Sequence, residues 1–302
     1  MAPPTFVDPP PSITVECDAV PEPPMVMATD ACDPDVSVTL VELLLPGSCE
    51  DSYKLTRIWK ATDACGKMTS HFQVITVVDT LAPTLAGVPS DEKVECDSVP
   101  TAAPVTAMDN CDPAPALTFA EVRIDGDCPG DYTLLRTWTA TDRCGNVAKE
   151  IHTLTVKDTT PPDVTLSNDT AYCLWPPNHR YVCFDVDDFD PEILESCSEP
   201  VTWRFAGCTS DQPDDAPGDG HTMDDCVVTS DGRSFCARSE RVGGRREGRH
   251  YAVSIVAEDA CGNASGETVI GIVHVPHDRS PRDSCLDASK VGCKPREPLP
   301  CL

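Results

Sequence analysis

Four cysteines recur in one fixed frame. Cys17, Cys32, Cys49 and Cys65 return at a single constant offset as Cys96, Cys111, Cys128 and Cys144, with no gap between the copies. Their neighbours travel with them: Glu16-Cys17-Asp18 becomes Glu95-Cys96-Asp97, Cys32-Asp33-Pro34 becomes Cys111-Asp112-Pro113, and Asp79-Thr80 becomes Asp158-Thr159. A repeat of this size is one folding unit used twice. The phrase around Cys65 and Cys144, Asp-x-Cys-Gly, returns a third time at Asp259–Gly262, so a longer, divergent third module follows.

A unit of about 80 residues buries too little surface to be comfortably stable alone. Aromatics make up only 5% of the chain, so its cores are thin. Eighteen cysteines, with no C-x-x-C among them, read as disulfides rather than zinc ribbons or redox motifs. Disulfides imply an oxidising compartment: secreted, periplasmic or on a cell surface. One such bridge is worth roughly 3–4 kcal/mol in the chain-entropy model. Four cysteines per repeat allow three pairings. The favoured set joins Cys32 to Cys65 and Cys111 to Cys144, because both members follow strand ends. That leaves Cys17 with Cys49 and Cys96 with Cys128. The third-module counterpart is Cys197–Cys261, and Cys226–Cys236 would close a hairpin turning at Ser230-Asp231-Gly232.

The secondary structure is legible in the alternation. Tyr53, Leu55, Arg57, Trp59 and Ala61 share one face of a period-two run, and Tyr132, Leu134, Arg136, Trp138 and Ala140 repeat it. The opposite face varies between the copies, which marks the constant face as the core. An arginine there needs a partner, and Glu42 and Glu121 keep register with Arg57 and Arg136. Further strands are expected over 12–16, 36–44, 73–77, 93–95, 116–124, 153–156 and 268–275. Many short strands with thirty prolines between and around them indicate an all-β chain of antiparallel sandwiches. The boundaries read 2–80, 81–160 and 161–278, followed by a cysteine-bearing tail over 279–302. Proline-stiffened linkers would make the array a semi-rigid rod. Ala2-Pro3-Pro4 reads like linker residues Ala82-Pro83-Thr84, so the chain is expected to continue a longer protein upstream.

These motifs, "ITVECDAV", "ATDACDPD", "YKLTRIWKATDACGK" and their second copies, resemble hyalin-repeat-like (HYR-like) immunoglobulin-fold repeats of bacterial secreted and surface proteins. The third module, with "LWPPNHRYV" and "HVPHD", is similar to a related Ig-like module of large extracellular proteins, often myxobacterial. The resemblance implies tandem immunoglobulin-like sandwiches, an extracellular scaffolding or adhesion role and no catalysis. The role expected is a stalk, spacer or fibre subunit. The alternative is a glycan- or ligand-binding accessory region of a larger secreted protein or hydrolase. Partners would be other extracellular proteins, surface polysaccharide or further copies of the chain.

The net charge of −27 excludes a phosphate-binding footprint, so nucleic acid is not a partner. No run of 18 apolar residues is present to span a membrane. No cofactor is required. Calcium is the ligand that clustered loop carboxylates suit. The candidates are Asp79 and Asp158 in the linkers, with Asp30, Asp33, Asp109 and Asp112 close by in sequence to loop cysteines, and Asp219, Asp224 and Asp225 in an acidic loop. Asp63, Asp142 and Asp259 are expected to cap the turns that follow them, with Gly66, Gly145 and Gly262 supplying the backbone freedom. Arg238, Arg241, Arg245, Arg246 and Arg249 form a basic stretch that could grip an anionic glycan, or simply be solvated. His179 near Trp175 reads as packing. No nucleophile elbow, HExxH or P-loop is present.

Overall fold

The structure, a computed structural model, describes residues 2–165, 171–189, 191–215, 222–244, 247–277 and 294–295. It divides into two compact units. One comprises Met1–Glu92, Pro100–Arg123 and Leu134–Leu154; the other comprises Lys93–Val99, Ile124–Thr133 and Thr155–Leu302. The division runs through the second repeat, so the segments bearing Cys96 and Cys128 belong with the third module.

Repeat 1 contains β1 (Thr5–Val7), β2 (Ile13–Glu16), β3 (Met27–Thr29), β4 (Ser37–Pro46), β5 (Tyr53–Thr62) and β6 (Met68–Val78). Strands β1 and β3 form a small antiparallel sheet, and the larger sheet has the order β2-β6-β5-β4. β2 runs parallel to β6, while the other pairs are antiparallel. Alternation on β5 buries Arg57, Trp59 and Ala61, and β6 adds Ile75 and Val77. Glu42 lies directly opposite Arg57 in the β4–β5 register. Arg57 Nε donates to its carboxylate at 2.8 Å and Nη2 donates to the Pro21 carbonyl at 2.7 Å.

Repeat 2 contains β7 (Thr84–Ala86), β8 (Glu92–Glu95), β9 (Thr106–Met108), β10 (Ala116–Asp125), β11 (Tyr132–Thr141) and β12 (Val147–Lys157). Its two sheets, β7-β9 and β10-β11-β12-β8, repeat those of the first. Leu85 and Val105, with Ala107, pack on Trp138 and Ala140, so the two-stranded sheet closes the sandwich over β11. Arg136 Nε donates to Glu121 at 2.7 Å. Both hairpin-edge strands are open to solvent: Leu43 and Leu45 on β4 are 55% and 64% exposed, and Val122 and Ile124 on β10 are 55% and 50% exposed.

The third module keeps this plan and adds to it. Its strands are β13 (Asp163–Thr165), β14 (Ala171–Cys173), β15 (Tyr181–Asp185), β16 (Glu192–Leu194), β17 (Thr202–Ser210), β18 (Cys226–Val228), β19 (Ser234–Arg238), β20 (Arg249–Glu258), β21 (Thr268–Val275) and β22 (Lys294–Pro295). The pair β13-β16 and the strands β17-β20-β21-β14 match the repeats, and β22, from the tail, adds a fifth strand beside β14. The extra strands form a third sheet, β15-β19-β18. It carries Phe184 and Phe235 onto Phe205 of β17 and completes a core that also includes Tyr251, Val253 and Ile255. Part of the added length of this module is therefore core-filling sheet.

The disulfides differ from the pairing expected from sequence. Cys17 bonds Cys111 and Cys49 bonds Cys144, each joining repeat 1 to repeat 2. Cys96 bonds Cys197 and Cys128 bonds Cys261, joining repeat 2 to the third module. The pairs Cys17–Cys49, Cys96–Cys128, Cys111–Cys144 and Cys197–Cys261 do not form, and neither does Cys32–Cys65, since Cys32 keeps a free thiol. The reason lies in register. Glu16, Pro46, Tyr53 and Val78 meet at one end of repeat 1, so Cys17 and Cys49 sit at the trailing end, beside the linker. Ser37, Thr62 and Met68 meet at the other, leading end, where Cys32 and Cys65 lie. The linker seats a trailing end on the next leading end. Cα separations of 5.7 and 5.0 Å at the first junction, and 5.9 and 5.2 Å at the second, lie within the span a bridge demands. Cys226 and Cys236 also part company. Cys236 bonds Cys183, directly across β19–β15, and Cys226 bonds Cys208 on β17, tying the inserted sheet to the main one.

Candidate functional site

The junction of repeats 1 and 2 is built from the strand ends upward. Asp142 follows β11, and its Oδ1 accepts the backbone N–H groups of Cys144 at 2.8 Å and Asn146 at 2.9 Å. Gly145, at φ +91°, makes the turn that this capping requires. Asp63 and Asp259 bind their own turns in the same way. The opening motif is thus a self-capped turn that presents a cysteine. Asp109 holds the facing loop by accepting from Cys111 and Asp112, and Asp112 in turn accepts from Arg143 N at 3.1 Å.

Asp79 enters this frame from the linker. Glu16 grips the next residue, accepting from Thr80 N at 3.1 Å and from its hydroxyl at 2.5 Å. Asn146 Nδ2 reaches back to the Asp79 carbonyl at 3.3 Å and its carboxylate at 3.4 Å. Asp79 is 8% exposed. One group of donor atoms within 4.8 Å of one another comprises Glu16, Asp79 and Cys111; a second comprises Asp51, Asp79 and Cys144. The sulfurs are spent in disulfides, which leaves carboxylates. Buried oxygens of Asp51, Asp79 and Asp109 each lack a hydrogen-bond partner. Burial, then the negative charges of Asp142 and Asp109, push the Asp79 carboxyl above the usual carboxylate range. Burial likewise raises Asp51, with Arg143 opposing. Asp142 falls instead: burial works against it, but the Asn146 side chain and the turn N–H groups prevail. Oxygen donors of this kind are what a hard divalent cation takes.

The second junction shares the frame and differs in charge. Asp158 is 5% exposed, has an orphaned carboxylate oxygen, and receives Asn263 Nδ2 on its carbonyl at 3.1 Å. Glu95 grips Thr159 as Glu16 grips Thr80. Gly130 stands where repeat 1 has Asp51, however, and Lys157 where it has Val78. Lys157 bonds Asp131, whose carboxyl is held low first by that hydrogen bond. Asp158 is the residue of this junction left with an orphaned buried oxygen, among the described residues.

The acidic-loop candidates fare differently again. Asp219 lies outside the described residues. Asp224 is exposed in a left-handed conformation, at φ +57°. Asp225 is fully buried, and its oxygens are engaged by Arg249 Nη1 at 2.5 Å and the Thr222 hydroxyl at 3.1 Å. Arg249 is itself fully buried and also reaches Glu240 at 3.3 Å and the Pro213 carbonyl at 2.8 Å. Burial and the hydrogen bond with Asp225 raise Glu240; Asp225 is lowered against burial by Glu240 and Arg249. Burial also raises the Tyr251 phenol. Arg238 stacks over the Tyr181 ring at 4.1 Å, and Arg241 donates to the His277 carbonyl. These three arginines of the basic stretch are therefore engaged inside the third module, while Arg245 and Arg246 lie outside the described residues. His179 Nδ1 approaches Glu240 at 3.2 Å and belongs to the same network.

Sequence reasoning missed Asp51, the bridges across the junctions and the buried Arg249–Asp225–Glu240 cluster. One signal did point to the junction: position 146 is Asn and position 263 is Asn, where side chains reach the preceding linker, while the first copy has Lys67.

No family model matches the chain, and no curated protein matches it. Solved structures to which it is similar include Drosophila N-cadherin EC1-4, at 12% identity and a TM-score of 0.33 over 90% of this chain and 75% of that one. Mouse cadherin-23 EC22-24 gives 16% identity and 0.31 over 90% and 98%. Titin domains I67-I69 give 13% identity and 0.32 over 91% and 99%. The chain is all-β, an array of tandem immunoglobulin-like antiparallel sandwiches stapled by disulfides. Among the described residues, no helix is long and apolar enough to cross a membrane.

Proposed function

We propose that this chain is a non-enzymatic extracellular structural protein, a spacer or stalk of hyalin-repeat type that holds an adhesive or surface assembly together. One observation carries the reading: each described junction between neighbouring repeats is closed by two disulfides. Such bridges require an oxidising compartment, and they resist separation of repeats rather than merely stabilising each one. Calcium belongs to the same reading. The fit is to the first junction, where Asp51, Asp79 and Asp109, each with a buried oxygen lacking a partner, would hold the ion, which would neutralise a cluster that otherwise repels itself. The open edges of β4 and β10 offer unpaired strand hydrogen-bonding groups for self-association or for other extracellular proteins. A polysaccharide-gripping role for the basic stretch draws no support, because Arg238, Arg241 and Arg249 are turned to internal partners.

The test is the redox state of the native protein. Rapid alkylation of the source material, followed by mapping without reduction, should recover Cys17–Cys111 and Cys49–Cys144 as bridged peptides. Recovery of these four residues as alkylated thiols would place the chain in a reducing compartment and end the extracellular reading.

A further inference from the structure

The bridges follow a rule of direction. Each repeat gives its trailing-end cysteines to the leading-end cysteines of its successor: Cys17 to Cys111 and Cys96 to Cys197, Cys49 to Cys144 and Cys128 to Cys261. Cys32 and Cys65 occupy the receiving positions of repeat 1, both exposed, and Cys32 is a free thiol. We propose that the leading end of repeat 1 is a receiving site for a further repeat of the same kind, joined through a disulfide to Cys32.

The receiving loops of repeat 1 already hold the shape they have in the bridged copies. Asp30 accepts from Cys32 N at 2.8 Å, as Asp109 does from Cys111 at 2.9 Å and Glu195 does from Cys197 at 2.7 Å. Asp33 accepts from Ala64 N at 2.8 Å, as Asp112 does from Arg143 N at 3.1 Å. Burial is what differs. Asp112 is 1% exposed and Cys111 and Cys197 are half-buried where a preceding repeat is seated, whereas Asp33 is half-buried and Cys32 exposed. Lys67 fits the same role: it stands where Asn146 and Asn263 reach the preceding linker aspartate, and an ammonium there suits that carboxylate.

The chemistry fixes what can dock. The occupant must bring a trailing-end cysteine in a Glu-Cys-Asp turn, the partner that Cys111 and Cys197 have. A second copy of this chain does not qualify, because its Cys17, Cys49, Cys96 and Cys128 are already bonded internally. The bond forms by exchange. Oxidised glutathione first caps a donor cysteine as a mixed disulfide. The Cys32 thiolate then attacks the donor sulfur, the bond to glutathione breaks, and the departing glutathione thiolate takes up the proton that Cys32 gave up. The proposal goes beyond the spacer reading and stands on the bridge pattern alone.

The test extends the full chain at its N-terminus with a second copy of residues 2–79, marked by Ile13→Val and Ser48→Thr in the added copy. The product is refolded in glutathione buffer, alkylated and mapped without reduction. The expected result is a peptide joining the added Cys17 to the original Cys32, and at least a tenfold fall in alkylation of the original Cys32. The free thiol then moves to the added copy's Cys32. An extension carrying Cys17→Ser and Cys49→Ser should leave the original Cys32 alkylated. A parallel extension built from residues 81–159 guards against misfolding of the first. An original Cys32 that stays alkylated in both extended chains, or that bonds elsewhere, overturns the proposal.

Discussion

Pulling the chain from its ends reads the bridge pattern as a length. With handles at Ala2 and after His277, the shortest covalent path runs to Cys17, crosses to Cys111, follows the chain to Cys128, crosses to Cys261 and leaves. That path holds about 48 residues, so at ~3.5 Å each the oxidised chain extends no further than about 180 Å even when fully unfolded. The fully reduced chain, about 275 residues, reaches about 960 Å by the same measure. Bridges confined within repeats, of the type Cys32–Cys65, would leave about 145 residues in the path and a limit of about 520 Å. Single-molecule force extension separates these three values easily. The expected trace for the oxidised protein ends at about 180 Å, and dithiothreitol should release it to about 960 Å. An oxidised limit of about 520 Å would refute the assignment of the bridges to the junctions.

Calorimetry should show calcium raising the melting temperature of the oxidised protein relative to EDTA, by about 2.7 kcal/mol of stabilisation at a hundredfold excess over the dissociation constant; Asp79→Asn should abolish the response, and an undiminished response would remove Asp79 from the site. Because the folded Asp79 carboxyl is raised, its contribution is fully present below the unfolded value of 3.8 and is lost as pH rises through the folded value; calcium-free Asp79→Asn should therefore melt above the parent at pH 7, and the difference should shrink as pH falls toward 4. Arg249→Met strands Asp225 and Glu240 in the core and should cost about 3–5 kcal/mol in urea melts, whereas a cost under about 1 kcal/mol would mean the cluster is hydrated. Leu43→Lys with Leu45→Lys on the β4 edge should reduce any concentration-dependent association in sedimentation velocity and leave the melt within about 0.5 kcal/mol, since both side chains are exposed.

The repeat, the alternating strands and the buried face of β5 and β11 were plain in the sequence, because a period of two and a fixed offset are local, redundant signals. The choice among cysteine partners was not. Within a repeat, Cys17 and Cys49 share one end and Cys32 and Cys65 the other, so spacing is equally compatible with bridges inside a repeat or across a junction. Only the seating of one end on the next decides, and no local motif encodes it. Asp51 escaped notice because it has no counterpart in the second copy, where Gly130 stands. The arginine stretch misled for a different reason: charge in a sequence does not reveal that Asp225 and Glu240, 24 and 9 residues from Arg249, converge on it.

The interlaced bridges also set an order of manufacture. A chain threaded outward from its N-terminus exposes Cys17, then Cys32, Cys49 and Cys65, long before Cys111 and Cys144 emerge to claim their partners, 94 and 95 residues downstream of Cys17 and Cys49. Early thiols have only wrong neighbours to oxidise with, so maturation depends on holding them reduced or on reshuffling bonds made too soon. No repeat can be sealed until its successor has folded. Completion therefore travels as a wave, one repeat behind the emerging chain, and a truncation shows itself as a pair of thiols left waiting at the trailing end.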